Sequence, residues 1–473
     1  MSLKSTNHTP SPLHQMAAQH PNLAALQDCH GSIDYANFSQ QVLTLGTHLR
    51  QAGLQSGDIL AIISENSAEM IRLYWACIDC GILFCPISPR FPESQIRTLM
   101  QRHQIQTYSL QPSIDMSLPG QALTPLDITT DATVVTAPQQ APQVNPNNLS
   151  NIIFTSGSSG TPKAALHRLR QHIASATGST SLIQLQPGDH WLLSLPLFHI
   201  GGLAILNRCA LAGACVVLSR GRDALAEQLQ QDNITHVSLV ATQLQRLLQD
   251  FPSCLASLKA LLLGGGAISQ PLLDKLGEQG IASFTSYGMT EMASQITTGP
   301  ARADGSSGTL LPGRELCLRD GVIWVRGDTL FAGYLSDKGI EPMRDEQGWF
   351  CTKDCGFWDD AGRLHITGRS DNMFVCGGEN LQPEEVEAVL KQLPGVEDAL
   401  VFALPDPEFG HLPAAIIRGV IPKPDMAATY IGQHIARFKR PRRYFPWPED
   451  ISQTGLKINR KAVIAAVQRQ FQL

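Results

Sequence analysis

Short, mostly apolar runs recur along this chain, each closed by turn residues. Ile59–Ile63, Ile152–Phe154, Trp191–Leu195, Ala214–Leu218 and Ala260–Leu263 are strand-length and carry almost no polar alternation. Strands buried on both faces read this way, and helices must then cover the sheet. Helical patterns lie between the runs. From Tyr35 to Gln51, Phe38, Val42, Leu45 and Leu49 recur at helical spacing. After the turn at Gly57-Asp58 and the run from Ile59, a second helix is expected near Asn66, its cap, through Met70, Leu73 and Trp75 to Gly81. Helix, strand, helix, strand at these lengths is the rhythm of an α/β sheet.

At 473 residues the chain exceeds one ordinary core, which predicts two or more domains. Residues 1–30 read as a short leader, and Ala137 to Asn148 as a polar connection. Past Gly313 the texture changes. Val322–Val325, Gly348–Phe350 and Leu364–Ile366 read as short strands of a small β-rich unit. A polar turn, Gly368-Arg369-Ser370-Asp371, then leads to an acidic amphipathic helix over Leu381–Leu393, a strand over Val396–Ala403, and a basic tail from Arg437 to Arg469. The domain boundary is expected at Arg369–Asp371, giving a large domain over 1–370 and a small α+β domain over 371–473.

Composition narrows the function. Net charge is −5 with 16% charged residues, so no basic excess points to nucleic acid or an anionic membrane. The N-terminus lacks an apolar signal region, and no stretch reaches the length of a spanning helix; a cytoplasmic protein is expected. Eleven cysteines scattered over a long chain fit reduced thiols. Cys77, Cys80 and Cys85 lack the second pair that a zinc site needs, and their apolar setting makes them buried core thiols.

One stretch carries chemistry on its face: Thr155-Ser156-Gly157-Ser158-Ser159-Gly160-Thr161-Pro162-Lys163, following the run Ile152–Phe154 and leading into a possible helix. Small residues let a backbone approach an anion, while the hydroxyls and Lys163 add donors and charge. The spacing is not that of a Walker A loop, because Thr-Pro-Lys replaces the Gly-Lys-Ser/Thr ending. A Gly/Ser/Thr surface linker is the competing reading. Gly264-Gly265-Gly266, at the end of the run Ala260–Leu263, leaves room for a flat ligand or makes a tight turn.

Six stretches together resemble the adenylate-forming superfamily of acyl-CoA synthetases, adenylation domains and luciferases. They are Thr155 to Lys163, Leu195-Pro196-Leu197-Phe198-His199, Ser286-Tyr287-Gly288-Met289-Thr290-Glu291, Thr352-Lys353-Asp354, Gly368-Arg369-Ser370-Asp371, and Thr454-Gly455-Leu456-Lys457-Ile458-Asn459-Arg460. The resemblance implies packed sheets in the large domain and a mobile C-terminal domain. It also implies ATP, Mg²⁺ and coenzyme A as cofactor and co-substrates. Thr155, Ser156, Gly157, Ser158, Ser159, Gly160, Thr161 and Lys163 would hold the β- and γ-phosphates, with Thr290 and Glu291 meeting phosphate and Mg²⁺. Ser286, Tyr287 and Gly288 would face adenine, with space left by Gly265 and Gly266; Asp354, helped by Arg369, would take the ribose hydroxyls. Lys457 would bridge the incoming carboxylate and the α-phosphate, although Leu456 breaks the family's usual Gly-Lys pair. Asp371 matches the hinge, and Gly377 and Gly378 the wall of the CoA tunnel.

Within the superfamily, Thr235 to Leu244, Ser286 to Ser294, Glu408-Phe409-Gly410-His411 and Lys457-Ile458-Asn459-Arg460 look like the 2-succinylbenzoate–CoA ligases of menaquinone synthesis. Their acid has a second carboxylate, and a buried anion needs a cation or several donors. Arg208 is the expected cation unless it lies on a solvated helix face; Ser238 and Thr290 are candidate donors, and His199 a pocket wall. A ligase for another aryl or fatty acid, and a non-catalytic nucleotide-binding module, are the alternatives.

Overall fold

The helix predicted from Phe38, Val42, Leu45 and Leu49 spans Tyr35–Gln51 and buries all four. It is seen in a computed structural model that describes residues 8–123, 140–155, 162–221, 224–251, 253–264, 268, 270–376, 379–406, 410–422, 430–431, 434–435, 439–449 and 459–473. Two compact units divide the chain. The first is Met1–Leu316, Val325–Phe350 and Asp360–Leu364; the second is Cys317–Trp324, Cys351–Asp359 and His365–Leu473.

The first unit holds two large sheets. The eight-stranded one runs, in spatial order, Gly339–Glu341, Gly333–Ser336, Lys163–Arg168, Leu149–Thr155, Leu83–Ile87, Ile59–Ile63, Thr107–Leu110 and Gln121–Leu123. The nine-stranded one has five parallel central strands: Ala282–Met289, Ala260–Gly264, His236–Val240, His190–Leu193 and Cys215–Leu218. Helices lie between the sheets. Phe38, Trp75, Leu203 and Leu206 share one core with Leu60, Phe84 and Ile153 of the first sheet and Leu26, Trp191 and Val216 of the second. Outer helices cover the remaining faces, so the apolar runs are buried on both sides as their composition requires.

Four local expectations give way. The first thirty residues are no mere leader: the helix Pro12–Gln19 and strand Ala24–Asp28 join the fold, and His14 Nε2 meets Asp79 Oδ2 at 2.6 Å in the interior. The helix Ala68–Cys80 is capped by Ser67, because Asn66 is engaged by Leu195 O and Leu197 N instead. The glycine loop leads into a strand, Lys163–Arg168, whose Ala164 to His167 are buried; a helix begins only at Leu169. The basic tail contains a strand, Arg443–Pro446, and a helix, Arg460–Phe471.

In the second unit, the helix Pro383–Leu390 packs on an antiparallel pair, Val396–Asp406 with Gly410–Gly419, extended in parallel by Arg443–Pro446. Val463 and Val467 of the last helix close the opposite face against Leu400, Phe402 and Ile416. Cys77 and Cys85 are buried, and burial pushes the Cys77 thiol up and that of Cys80 up to about 11, which keeps both protonated at neutral pH. Among the described residues, no helix is long and apolar enough to cross a membrane.

Candidate active site

Thr155 closes the strand Leu149–Thr155 and stands opposite Lys163 in antiparallel register. The two strands on either side of the loop are therefore antiparallel neighbours, and Thr155 and Lys163 are fixed in the sheet. Ser156, Gly157, Ser158, Ser159, Gly160 and Thr161 lie outside the described residues, as do Gly265, Gly266, Gly377, Gly378 and Lys457.

Lys163 Nζ sits 4.9 Å above the ring of Tyr334, on the neighbouring strand Gly333–Ser336. The Tyr334 phenol donates to Glu291 Oε1 at 2.5 Å. Glu291 is buried, and its Oε2 makes no hydrogen bond with a described residue. Lys163 and Glu291, the loop's cation and the expected metal-binding carboxylate, thus share one tyrosine. The oxygen donors of the adjacent residues Thr290 and Glu291 are of the kind a hard divalent cation takes, with phosphate oxygens to complete the shell.

Thr290 and Glu291 form a tight 3₁₀ turn after the strand Ala282–Met289, and Ala293 and Ser294 at φ 50° and 107° reverse the chain. The turn is fixed from the strand pair behind it. Phe331 N donates to Glu291 O at 2.8 Å, and His167 Nε2–H donates to Thr290 O at 2.7 Å. His167 is completely buried, and burial lowers its pKa to about 4, so it is neutral. Its Nδ1 accepts from Asn151 Nδ2 at 3.4 Å, consistent with the tautomer protonated at Nε2.

Ser286, Tyr287 and Gly288 lie on the same strand, paired with Ser294–Pro300 across a bulge after Tyr287. Tyr287 is buried. A Cβ on Gly288 would come within 2.1 Å of Ser294 O, so the strands close up only around glycine.

Arg208 is not on a solvated face. It is 2% exposed on the buried helix Ile200–Ala212, 5.2 Å over the Trp191 ring, and Nη2 donates to Gln295 Oε1 at 2.5 Å. Its Nε has no partner, and among the described residues no carboxylate pairs with it. Burial lowers its pKa to about 10, which still leaves it charged at neutral pH. Holding an unpaired guanidinium there costs several kcal/mol, a cost an incoming anion would offset. Ser238 Oγ is likewise buried without a partner. His199 occupies the N-cap position of the same helix, half-buried, its ring edge-on to Phe198 at 5.0 Å.

In the second unit, Asp354 accepts from Arg369 Nη1 at 2.9 Å. The same guanidinium donates from Nε and Nη2 to both oxygens of Asp371, at 2.8 and 3.1 Å. The Arg369 hydrogen bonds hold the Asp371 carboxyl below the usual carboxylate range.

Sequence reading missed His167, Tyr334, Gln295 and Arg314. The first two show only as ordinary members of strands. Gln295 directly follows the quoted stretch Ser286 to Ser294, so its place in sequence was the available signal.

Comparison with known proteins gives the family. The AMP-binding enzyme family matches residues 13–335, and the AMP-binding enzyme C-terminal domain matches 385–456. A 2-succinylbenzoate–CoA ligase of Salmonella typhimurium is 36% identical over 412 residues, covering 87% of this chain and 88% of that protein. An arginine-to-lysine variant of E. coli MenE with bound OSB-AMS superposes with a TM-score of 0.85 at 31% identity, covering 99% of this chain and 100% of that one. The O-succinylbenzoate coenzyme A synthetase of Bacillus subtilis, in complex with ATP and magnesium ion, gives 0.87 at 26% identity, covering 97% and 100%. The family's match spans most of the first unit, with Thr155, Lys163, Arg208, Thr290 and Glu291 inside it, and the chain is a member of the AMP-binding enzyme family.

Proposed function

We propose that the chain is an ATP-dependent 2-succinylbenzoate–CoA ligase of menaquinone biosynthesis, working in the cytoplasm. The observation that carries the choice of acid is Arg208, a buried guanidinium with an unpartnered Nε and no carboxylate beside it. It is the complement of the ring carboxylate, with Ser238, Thr290 and His199 completing the pocket.

In the first step the succinyl carboxylate oxygen attacks the α-phosphorus of ATP, and pyrophosphate leaves with the bond's electron pair. Thr155, the loop 156–161 and Lys163 hold the β- and γ-phosphates; Ser286, Tyr287 and Gly288 face adenine beside Gly265 and Gly266. Asp354 and Arg369 take the ribose. Glu291, braced by Tyr334, and Thr290 would hold Mg²⁺, which supplies charge neutralisation on the phosphates when bound. Lys457 bridges the two reacting anions. In the second step the CoA thiolate attacks the acyl carbon and AMP leaves. The domain over 371–473 turns about Asp371 between the steps and brings Gly377 and Gly378 to the thiol's path.

The test is thioester formation with a panel of aryl and fatty acids, run on the parent and on Arg208→Ala. Turnover of 2-succinylbenzoate that collapses only in the variant supports the reading. Equal use of acids lacking the second carboxylate would favour a ligase for a different acid.

A further inference from the structure

Arg208 is oriented by a neutral residue. Its Nη2 donates to Gln295 Oε1 at 2.5 Å, and Ser179 Oγ donates to the same oxygen at 2.7 Å. At the other end of the amide, Gln295 Nε2 donates to Thr298 Oγ1 at 2.7 Å. Two donors meet the oxygen and one acceptor meets the nitrogen, so the amide has a single orientation. Gln295 is 3% exposed.

A second guanidinium leans on the same residue. Arg314, 4% exposed, donates from Nε to the Gln295 backbone oxygen at 3.0 Å. Its Nη1 donates to Pro312 O at 2.7 Å and its Nη2 to Ser175 O at 3.1 Å. Carbonyl oxygens thus satisfy Arg314 without cancelling its charge. Two buried cations thus meet one uncharged residue, Arg208 at its side chain and Arg314 at its backbone oxygen, and positive potential accumulates where water is excluded.

We propose that Gln295 is a specificity-determining positioning residue: it holds Arg208 in place without neutralising it, so that the charge stays available to the second carboxylate of the acid. The inference rests on the reading of Arg208 given above. A carboxylate at 295 would occupy the same volume and accept the same bonds. Facing Arg208, in the field of Arg314 as well, it would ionise and pair with Arg208, and the pocket would lose its attraction for an anion. The neutral amide is therefore a selective feature of the pocket beyond its packing.

The experiment compares kcat/KM for 2-succinylbenzoate and for 4-oxo-4-phenylbutanoate, which has the same succinyl arm and no ring carboxylate. The parent prefers the diacid. Gln295→Glu, nearly isosteric, should lower kcat/KM for the diacid about a hundredfold, mainly through KM, and leave the monoacid within about threefold. Gln295→Met keeps the Arg208 charge but releases its orientation, and should lose about tenfold on the diacid alone. Equal losses on both acids would make Gln295 a packing residue and overturn the proposal. So would a Gln295→Glu enzyme that keeps the parent's preference, with Arg208 still standing as the acid's partner. A parent that uses both acids alike removes the Arg208 reading itself, and this inference with it.

Discussion

Tyr334 donates its phenol to Glu291 at 2.5 Å while its ring lies 4.9 Å beneath the Lys163 ammonium. One side chain therefore braces the acidic and the basic group expected to meet the nucleotide's phosphates. Tyr334→Phe keeps the ring and removes the hydrogen bond. The Mg²⁺ concentration giving half-maximal ATP–pyrophosphate exchange should rise about tenfold, as for loss of a bond that orients a metal-binding carboxylate. Tyr334→Leu also removes the ring and should raise the KM for ATP a further few-fold. An unchanged Mg²⁺ dependence in Tyr334→Phe would mean that this bond does not orient Glu291.

The two half-reactions should separate at the second unit. Lys457→Ala should depress adenylate formation by roughly a hundredfold or more while sparing thioester formation from supplied adenylate. Asp371→Pro fixes φ and should do the reverse, crippling the thioester step with exchange largely intact. Equal damage to both steps by Asp371→Pro would remove that residue from the role of pivot.

His167 predicts a pH dependence of stability. Its pKa lies near 4 when folded, against an ordinary 6.5, and burial is the main cause. Between those values the unfolded chain binds more protons than the folded one, so stability falls as pH falls. The contribution is whole above pH 6.5 and is lost on descending to about 4, amounting to about 3 kcal/mol. His172, lowered well below its ordinary value by burial, acts in the same direction. His167→Gln keeps a donor for Thr290 O and should flatten the acid arm in denaturant titrations run from pH 7 to 4. An identical slope would show that His167 is not held neutral.

Gly288→Ala places a methyl 2.1 Å from a backbone oxygen that cannot swing aside. Forcing the strands apart should cost about 1–3 kcal/mol in chemical denaturation and raise the KM for ATP. A variant as stable as the parent would show that the strand pair yields there.

The strands and helices were legible where burial is two-sided or strictly periodic. Ile59–Ile63 and Tyr35–Gln51 have the bounds their apolar patterns predict, because packing there follows composition. The strand after the glycine loop was not legible: Ala164, Ala165 and Leu166 suit a helix as well as a strand, and only pairing with Leu149–Thr155 decides. The site divides in the same way. Motifs named Lys163, Thr290, Glu291, Asp354 and Arg369 because ligand chemistry restricts those residue types. The supporting contacts, Tyr334 on Glu291, His167 on Thr290 and Gln295 on Arg208, span 43, 123 and 87 positions, which no local pattern encodes.

The guanidinium of Arg369 is divided between Asp354 and Asp371. Linkage makes such sharing reciprocal: whatever strengthens one of its attachments alters the other by the same free energy. On the function proposed above, with Asp354 at the ribose and Asp371 as pivot, nucleotide affinity and the ease of rotation would be coupled through one fork of five N–H donors. Each arrangement of the small domain would then have its own affinity for ATP and AMP, and loss of AMP would shift the balance between arrangements without a separate signal.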